Sequence, residues 1–156
     1  MGDGVVEVEE ASPPPDFNPL QLDLQLCFTL YSASNLVTRL YRQLLEPLGL
    51  TYSQYLAMLV LWERAPQTMG DISRRLRLDS GTLAPLFGRL ESRGLVRRTR
   101  DADDERRVLV DLTPEGEALR TRAMAVPAGA YGQLPLPHED LVRLKTDLQR
   151  LVDGLS

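Results

Sequence analysis

The chain has a single cysteine, Cys27, followed after 14 residues by Tyr41 and after 25 by Tyr52. One thiol and two phenols are the side chains here that could do chemistry together. The thiolate is the form of cysteine that oxidants attack, and a phenolic O–H is a donor able to stabilise it. A free cysteine also serves as a small hydrophobe with no reaction at all, and tyrosines serve as plain core or interface aromatics. Residue type alone leaves both uses open. Cys27 and Tyr41 share one apolar-periodic segment, Leu20 to Leu45. A helix rises ~1.5 Å per residue, which sets them about 21 Å apart along its axis. Within one straight helix they cannot touch, so a meeting requires a second copy of the chain.

Little else in the sequence suggests catalysis. One cysteine and one histidine, His138, exclude a zinc cluster and an internal disulfide. There is no glycine-rich phosphate loop and no carboxylate pair at helical spacing in a pocket-like context, so neither an enzyme nor a cofactor is expected. The 156 residues make one domain, and 43% hydrophobic with 26% charged residues suits a globular chain with a real core. No apolar run approaches the ~18–20 residues of a membrane span, and no secretory signal opens the chain. A cytoplasmic protein with a reduced thiol is expected.

The net charge of −4 disguises an uneven distribution. Residues 70–110 hold ten Arg against seven Asp or Glu, while the first 26 residues hold six acids and no base. Because potentials decay within ~10 Å at moderate salt, the local excess of +3 matters more to a docking polyanion than the total.

The elements that position these residues follow from periodicity and punctuation. Residues 1–18 are acidic and include Ser12-Pro13-Pro14-Pro15-Asp16, the composition of a disordered tail. The stripe Leu20, Leu24, Cys27, Phe28, Tyr31, Leu36, Leu40, Tyr41, Leu44, Leu45 predicts a helix ended by Pro47 and Gly49. A second helix is expected over Ser53–Glu63, closed by Ala65-Pro66. Thr68–Leu76, the connection Arg77-Leu78-Asp79 and a helix from Ser80 to Arg93 form a helix-turn-helix. Leu83, Leu86, Phe87 and Leu90 should face the core, with Asp79 or Ser80 as the cap. Pro85 sits deeper than a first-turn proline should, which predicts a kink or a late start. Leu95–Arg100 and Val108–Leu112 are strands around the charged loop Asp101–Arg107, which makes a wing. Thr113 and Pro114 begin a further helix to about Met124. Pro127, Gly129, Gly132, Pro135 and Pro137 break it, and a last amphipathic helix carries Leu141, Leu144, Leu148, Leu151 and Val152.

An Arg-tipped wing beside a helix-turn-helix points to double-stranded DNA as partner. On the outward face of the second helix, Arg89 and Arg93 are candidates for phosphate or guanine contact, and Ser80, Thr82 and Pro85 are counted with them. Arg106 suits a narrow minor groove, with Asp104 either orienting it or simply turning the loop. For Arg93 and Arg107, a solvated charge is the competing role.

Several stretches resemble the organic hydroperoxide sensors of the MarR family of transcriptional regulators. They are Gln25-Leu26-Cys27-Phe28 with Tyr31 and Tyr41, Thr51-Tyr52-Ser53-Gln54-Tyr55-Leu56-Ala57, Leu78-Asp79-Ser80-Gly81-Thr82-Leu83, the Arg-Gly-Leu-Val at 93–96, and Asp103-Asp104-Glu105-Arg106. The resemblance covers about Leu22 to Arg120. It implies a mainly helical homodimer with a small β wing. Its parts would be an N-terminal dimerisation helix at 19–50, a winged helix-turn-helix at 51–112 and C-terminal dimerisation helices at 113–156. It implies a repressor on a pseudo-palindromic operator, with Cys27 the peroxidatic residue and Tyr41 and Tyr52 of the partner subunit its hydrogen-bond donors. Lacking the second, C-terminal cysteine of some relatives, the chain looks like the one-cysteine type, in which a small cellular thiol completes the switch. Gly88 stands where relatives commonly carry a basic residue, and costs the helix ~1 kcal/mol against alanine. The alternatives are a repressor released by a phenolic or other small ligand, and a thiol peroxidase.

Overall fold

The computed structural model describes residues 18–156, so the expected acidic tail lies outside the described residues apart from Asn18. The chain divides between Val37 and Thr38 into a short N-terminal part and a larger C-terminal one.

In the N-terminal part, a 3-10 turn at Leu22–Leu24 precedes helix α1, Leu26–Leu45. The apolar stripe predicts helix from Leu20, six residues too early. The Gln25 side-chain amide donates to the carbonyls of Pro19 at 2.6 Å and Gln21 at 3.1 Å, which folds the preceding chain into turns. No residue from 18 to 37 is buried, and Leu20, Leu26, Tyr31 and Leu36 are all exposed.

In the C-terminal part, α1 ends at buried Leu45 and a 3-10 turn at Glu46–Leu48 follows. Gly49 closes that turn with φ +65°, a conformation that glycine reaches without steric cost. Helix α2 spans Tyr52–Glu63 and begins one residue before the expected Ser53 because Thr51 and Gln54 form a capping box. The Gln54 amide donates to Thr51 Oγ1 at 3.3 Å, and the Thr51 amide to Gln54 Oε1 at 3.0 Å.

Gln67–Thr68 form a two-residue strand, β1, that the sequence did not announce. Thr68 then caps α3, Met69–Leu76, and Asp79 caps α4, Ser80–Ser92. Strands β2, Val96–Arg100, and β3, Val108–Leu112, pair antiparallel from Val96 with Leu112 to Arg100 with Val108. β1 adds to the other edge of β3, giving the order β1-β3-β2. Thr113 caps α5, Pro114–Ala123, followed by α6, Ala125–Tyr131, and α7, His138–Gly154. The result is a mainly helical winged helix-turn-helix.

Leu83, Leu86, Phe87 and Leu90 of α4 are buried together with Met58, Leu61, Ile72 and Val110. The expectation of a late helix start at Pro85 and that of breaks at Pro127 and Gly129 need correction. α4 opens at Ser80 and runs unbroken through Pro85. The amide that Pro85 lacks would have bonded to the carbonyl of Gly81, an exposed first-turn residue whose carbonyl water can satisfy. Pro127 and Gly129 do not end helical structure either, since both lie inside α6. Pro127 is the third residue of that helix, where an amide has no intrahelical acceptor to lose. Helix α7 buries nothing: Leu141 and Leu148 are half-buried, and Leu144, Leu151 and Val152 are exposed. No helix among the described residues is long and apolar enough to cross a membrane.

Candidate functional site

The tight turn after α1 returns the chain so that Tyr41, near the end of α1, meets Tyr52 at the start of α2. Their ring centroids are 4.9 Å apart and the planes are tilted by 50°. One turn further along α2, Tyr55 packs 5.9 Å from Tyr41 and edge-on to Trp62. Burial raises the pKa of the Tyr41 hydroxyl, with smaller contributions from Tyr52 and Tyr131. Burial likewise raises those of Tyr52 and Tyr55. All three phenols therefore remain neutral O–H donors well past neutral pH. Tyr55 is the member that spacing arguments missed. Its position three residues after Tyr52, on the same helical face, was the available signal. Cys27 lies in the first turn of α1 with its side chain exposed.

A second surface is made by α4 and the wing. Ser80, Thr82, Pro85 and Arg89 are exposed, the last three turned away from the buried leucines of α4. The Thr82 amide and hydroxyl both donate to the Asp79 carboxylate, at 2.8 and 3.0 Å, so Thr82 also fixes the start of the helix. Those bonds, the amide's first, hold the Asp79 carboxyl below the usual range. Of the ten arginines between residues 70 and 110, nine have the guanidinium engaged within the chain. Of these ten, only Arg89 has no such partner among the described residues. At the wing tip, Asp104 Oδ1 accepts from both the amide and Nε of Arg106, each at 3.1 Å, while the Arg106 side chain stays 91% exposed. Asp104 thus orients Arg106 outward, and the pairing holds the Asp104 carboxyl low. The wing is tied to α4 by Glu91, whose carboxylate accepts from the Arg98 amide, Nε and Nη2 at 2.8–2.9 Å.

Arg93 is placed differently from Arg89 and Arg106, the other arginines expected to contact DNA. It caps the C-terminus of α4, and its guanidinium donates to the carbonyls of Gly49 and Leu48, the latter at 3.2 Å. It is occupied by the turn after α1, which removes it from the unengaged set. Sequence spacing offers no sign of a contact across 44 residues.

A third feature is an apolar cleft of about 210 Å³ between α2 and the helices after the wing, walled by Tyr55, Leu59, Trp62, Met124 and Pro127, with Arg120 at its edge. The Trp62 indole N–H donates to the Gly116 carbonyl at 2.9 Å and fixes one wall. Among the described residues, no three His, Cys, Asp or Glu side chains are grouped to hold a metal.

Comparison with known proteins places these surfaces in a family. The model of the SarA/Rot transcriptional regulators matches residues 39–122. An organic hydroperoxide resistance transcriptional regulator of Bacillus subtilis (strain 168) is 42% identical over 139 residues, covering 89% of this chain and 95% of the relative. Among solved structures, reduced AbfR bound to DNA superimposes with a TM-score of 0.75 at 38% identity, over 86% of this chain and 92% of that one. Disulfide-formed AbfR gives 0.61 at 39% identity, over 84% and 92%.

Proposed function

The chain belongs to the MarR family of transcriptional regulators, in its organic hydroperoxide resistance group, and from that premise we propose that it is a cytoplasmic, homodimeric repressor that senses organic hydroperoxides through Cys27. The observation that carries the proposal is the Tyr41–Tyr52 pair, two phenols held neutral beside each other in a chain whose only cysteine is exposed. Fourteen positions separate Cys27 from Tyr41 in the sequence, and a straight helix would set them ~21 Å apart along its axis. The tyrosines that serve Cys27 are therefore those of the partner subunit, supplied by antiparallel packing about a two-fold axis. The uncovered apolar faces of α1 and α7 are the surfaces for that pairing.

In the reduced dimer, two α4 helices lie about 34 Å apart on a pseudo-palindromic operator. Ser80, Thr82, Pro85 and Arg89 face the major groove, and Arg106, aimed by Asp104, enters the minor groove. The Cys27 thiolate, hydrogen-bonded by the two phenols, attacks the distal oxygen of the hydroperoxide. The O–O bond breaks, the leaving alkoxide takes a proton to become the alcohol, and the sulfur becomes a sulfenic acid. A small cellular thiol then condenses with it, forming a mixed disulfide and water. The added bulk disfavours the reduced packing, and the DNA-binding heads leave register. Turning a 99:1 balance round takes about 5.5 kcal/mol, within reach of a disrupted interface.

The relatives' description as transcriptional regulators weighs against a thiol peroxidase. The Tyr55–Trp62 cleft favours one other reading, release by a small aromatic ligand seated there, with Cys27 passive. Cumene hydroperoxide separates the two. Treated wild-type protein should lose DNA in step with a Cys27 adduct seen by mass spectrometry, while Cys27→Ser binds DNA normally and never releases it. Release by the serine variant would contradict the redox mechanism. Arg106→Ala should weaken DNA binding and reduce the salt slope by about one.

A further inference from the structure

We propose that Arg93 is a positioning residue that ties the C-terminal end of α4 to the turn between Tyr41 and Tyr52, so that a change at the tyrosines is passed to the DNA-binding helix. The proposal rests on the reading of those tyrosines as the sensing pair.

The turn is gripped from two sides. The Arg93 guanidinium spans the carbonyls of Leu48 and Gly49, and Arg122 of α5 donates through Nη2 to the carbonyl of Pro47 at 2.5 Å. Three consecutive carbonyls at the end of a helix, where peptide dipoles leave negative charge, are thus each met by an arginine. Gly49 makes room for the contact. A Cβ there would sit 2.7 Å from Arg93 Nη2, and its φ of +65° disfavours any other residue. Three residues on, Tyr52 begins α2 and carries half of the phenol pair. At the other end of the linkage, Arg93 directly continues α4, a helix held as one body by Leu83, Leu86, Phe87 and Leu90. A shift of the turn pulls on the helix that presents Arg89. The planar fork of arginine holds two carbonyls at once, which a lysine ammonium on its flexible stem does not reproduce.

A phosphate contact is the competing role, and substitution separates the two. The probe is a duplex selected from random-sequence DNA by the wild-type protein, titrated by anisotropy over a salt series with Arg93→Lys, Arg93→Gln and Gly49→Ala. Both Arg93 variants should bind about tenfold more weakly, the order for a lost charged hydrogen bond, with the salt slope of the wild type. The loss of affinity on treatment with cumene hydroperoxide should shrink several-fold, although Cys27 is oxidised at the normal rate by mass spectrometry. Gly49→Ala, which expels the guanidinium, should match Arg93→Gln, and the double variant should be little worse than either. If Gly49→Ala does not fold, the Lys and Gln variants decide alone. Wild-type affinity in Arg93→Lys, with a slope lower by about one in Arg93→Gln, would mean a phosphate contact and overturn the proposal. Unchanged affinity and unchanged release in every variant would overturn it equally. Should the wild type keep its DNA after oxidation, the sensing reading fails, the transmission role falls with it, and the salt slopes still decide whether Arg93 positions α4.

Discussion

The winged-helix region and helix α7 draw on similar apolar residues and use them in opposite ways. Between residues 52 and 112, Met58, Leu61, Ile72, Leu83, Phe87, Leu90 and Val110 are fully buried or nearly so. Among the described residues no buried side-chain polar atom lacks a hydrogen-bond partner. α7 has leucines at regular helical spacing over 17 residues and buries none of them. The N-terminal residues 18–37 are equally uncovered. An amphipathic stripe records that a face is to be covered, and not by what. The winged region covers its stripes with its own chain, while residues 18–37 and α7 leave theirs uncovered, as the proposed dimer requires.

The largest test of that contrast is Phe87→Ala. Phe87 is fully buried at the centre of the winged region, and its truncation should cost about 3–5 kcal/mol in chemical denaturation. Dimer dissociation should change little. Next, Leu144→Lys with Leu151→Lys on α7 should raise the dimer dissociation constant at least about a hundredfold, some 2.7 kcal/mol, in sedimentation. A dimer that survives this pair would show that α7 is covered in another way. Gly88→Ala works in the opposite direction. A Cβ at Gly88 meets nothing within 4 Å, so the winged region should gain up to ~1 kcal/mol from helix propensity. The smallest effect belongs to Glu91→Gln. Its hydrogen bonds from Arg98, the side chain's first, hold the Glu91 carboxyl below its ordinary value. Its contribution is therefore full above that ordinary value and is lost as pH falls through the lowered one. The variant should lose less than ~1 kcal/mol at neutral pH, since the pair is partly exposed, and should show a shallower decline in acid.

Much of this organisation was legible in the sequence. The α4 core face and the β3 limits followed from periodicity, and Thr113-Pro114 and the glycine at 94 marked a helix start and a helix end. What escaped were features with no period. A two-residue strand such as β1 repeats nothing, so it emerges only from its pairing with Leu109 and Val110. Pro127 read as a breaker because composition does not reveal that it falls in the first turn of a new helix. The helix start at Leu26 was hidden because the leucine stripe runs on across a 3-10 turn. At the candidate site, Cys27, Tyr41 and Tyr52 were singled out by residue type and family resemblance, and the structure brings the two tyrosines together. The engagement of Arg93 by backbone carbonyls 44 and 45 residues away has no local trace.

The central claim is that Cys27 of one subunit is served by the tyrosines of the other, and a pair of heterodimers measures it directly. In the first, one chain carries Cys27→Ser and its partner carries Tyr41→Phe and Tyr52→Phe. In the second, one chain carries all three substitutions beside a wild-type partner. The rate at which the remaining cysteine is oxidised by cumene hydroperoxide is then followed by mass spectrometry. A site shared between subunits predicts rapid oxidation in the first heterodimer, where the surviving cysteine faces two intact tyrosines, and slow oxidation in the second. Slow oxidation in the first and rapid oxidation in the second would place the cysteine and its tyrosines in one chain and contradict the account.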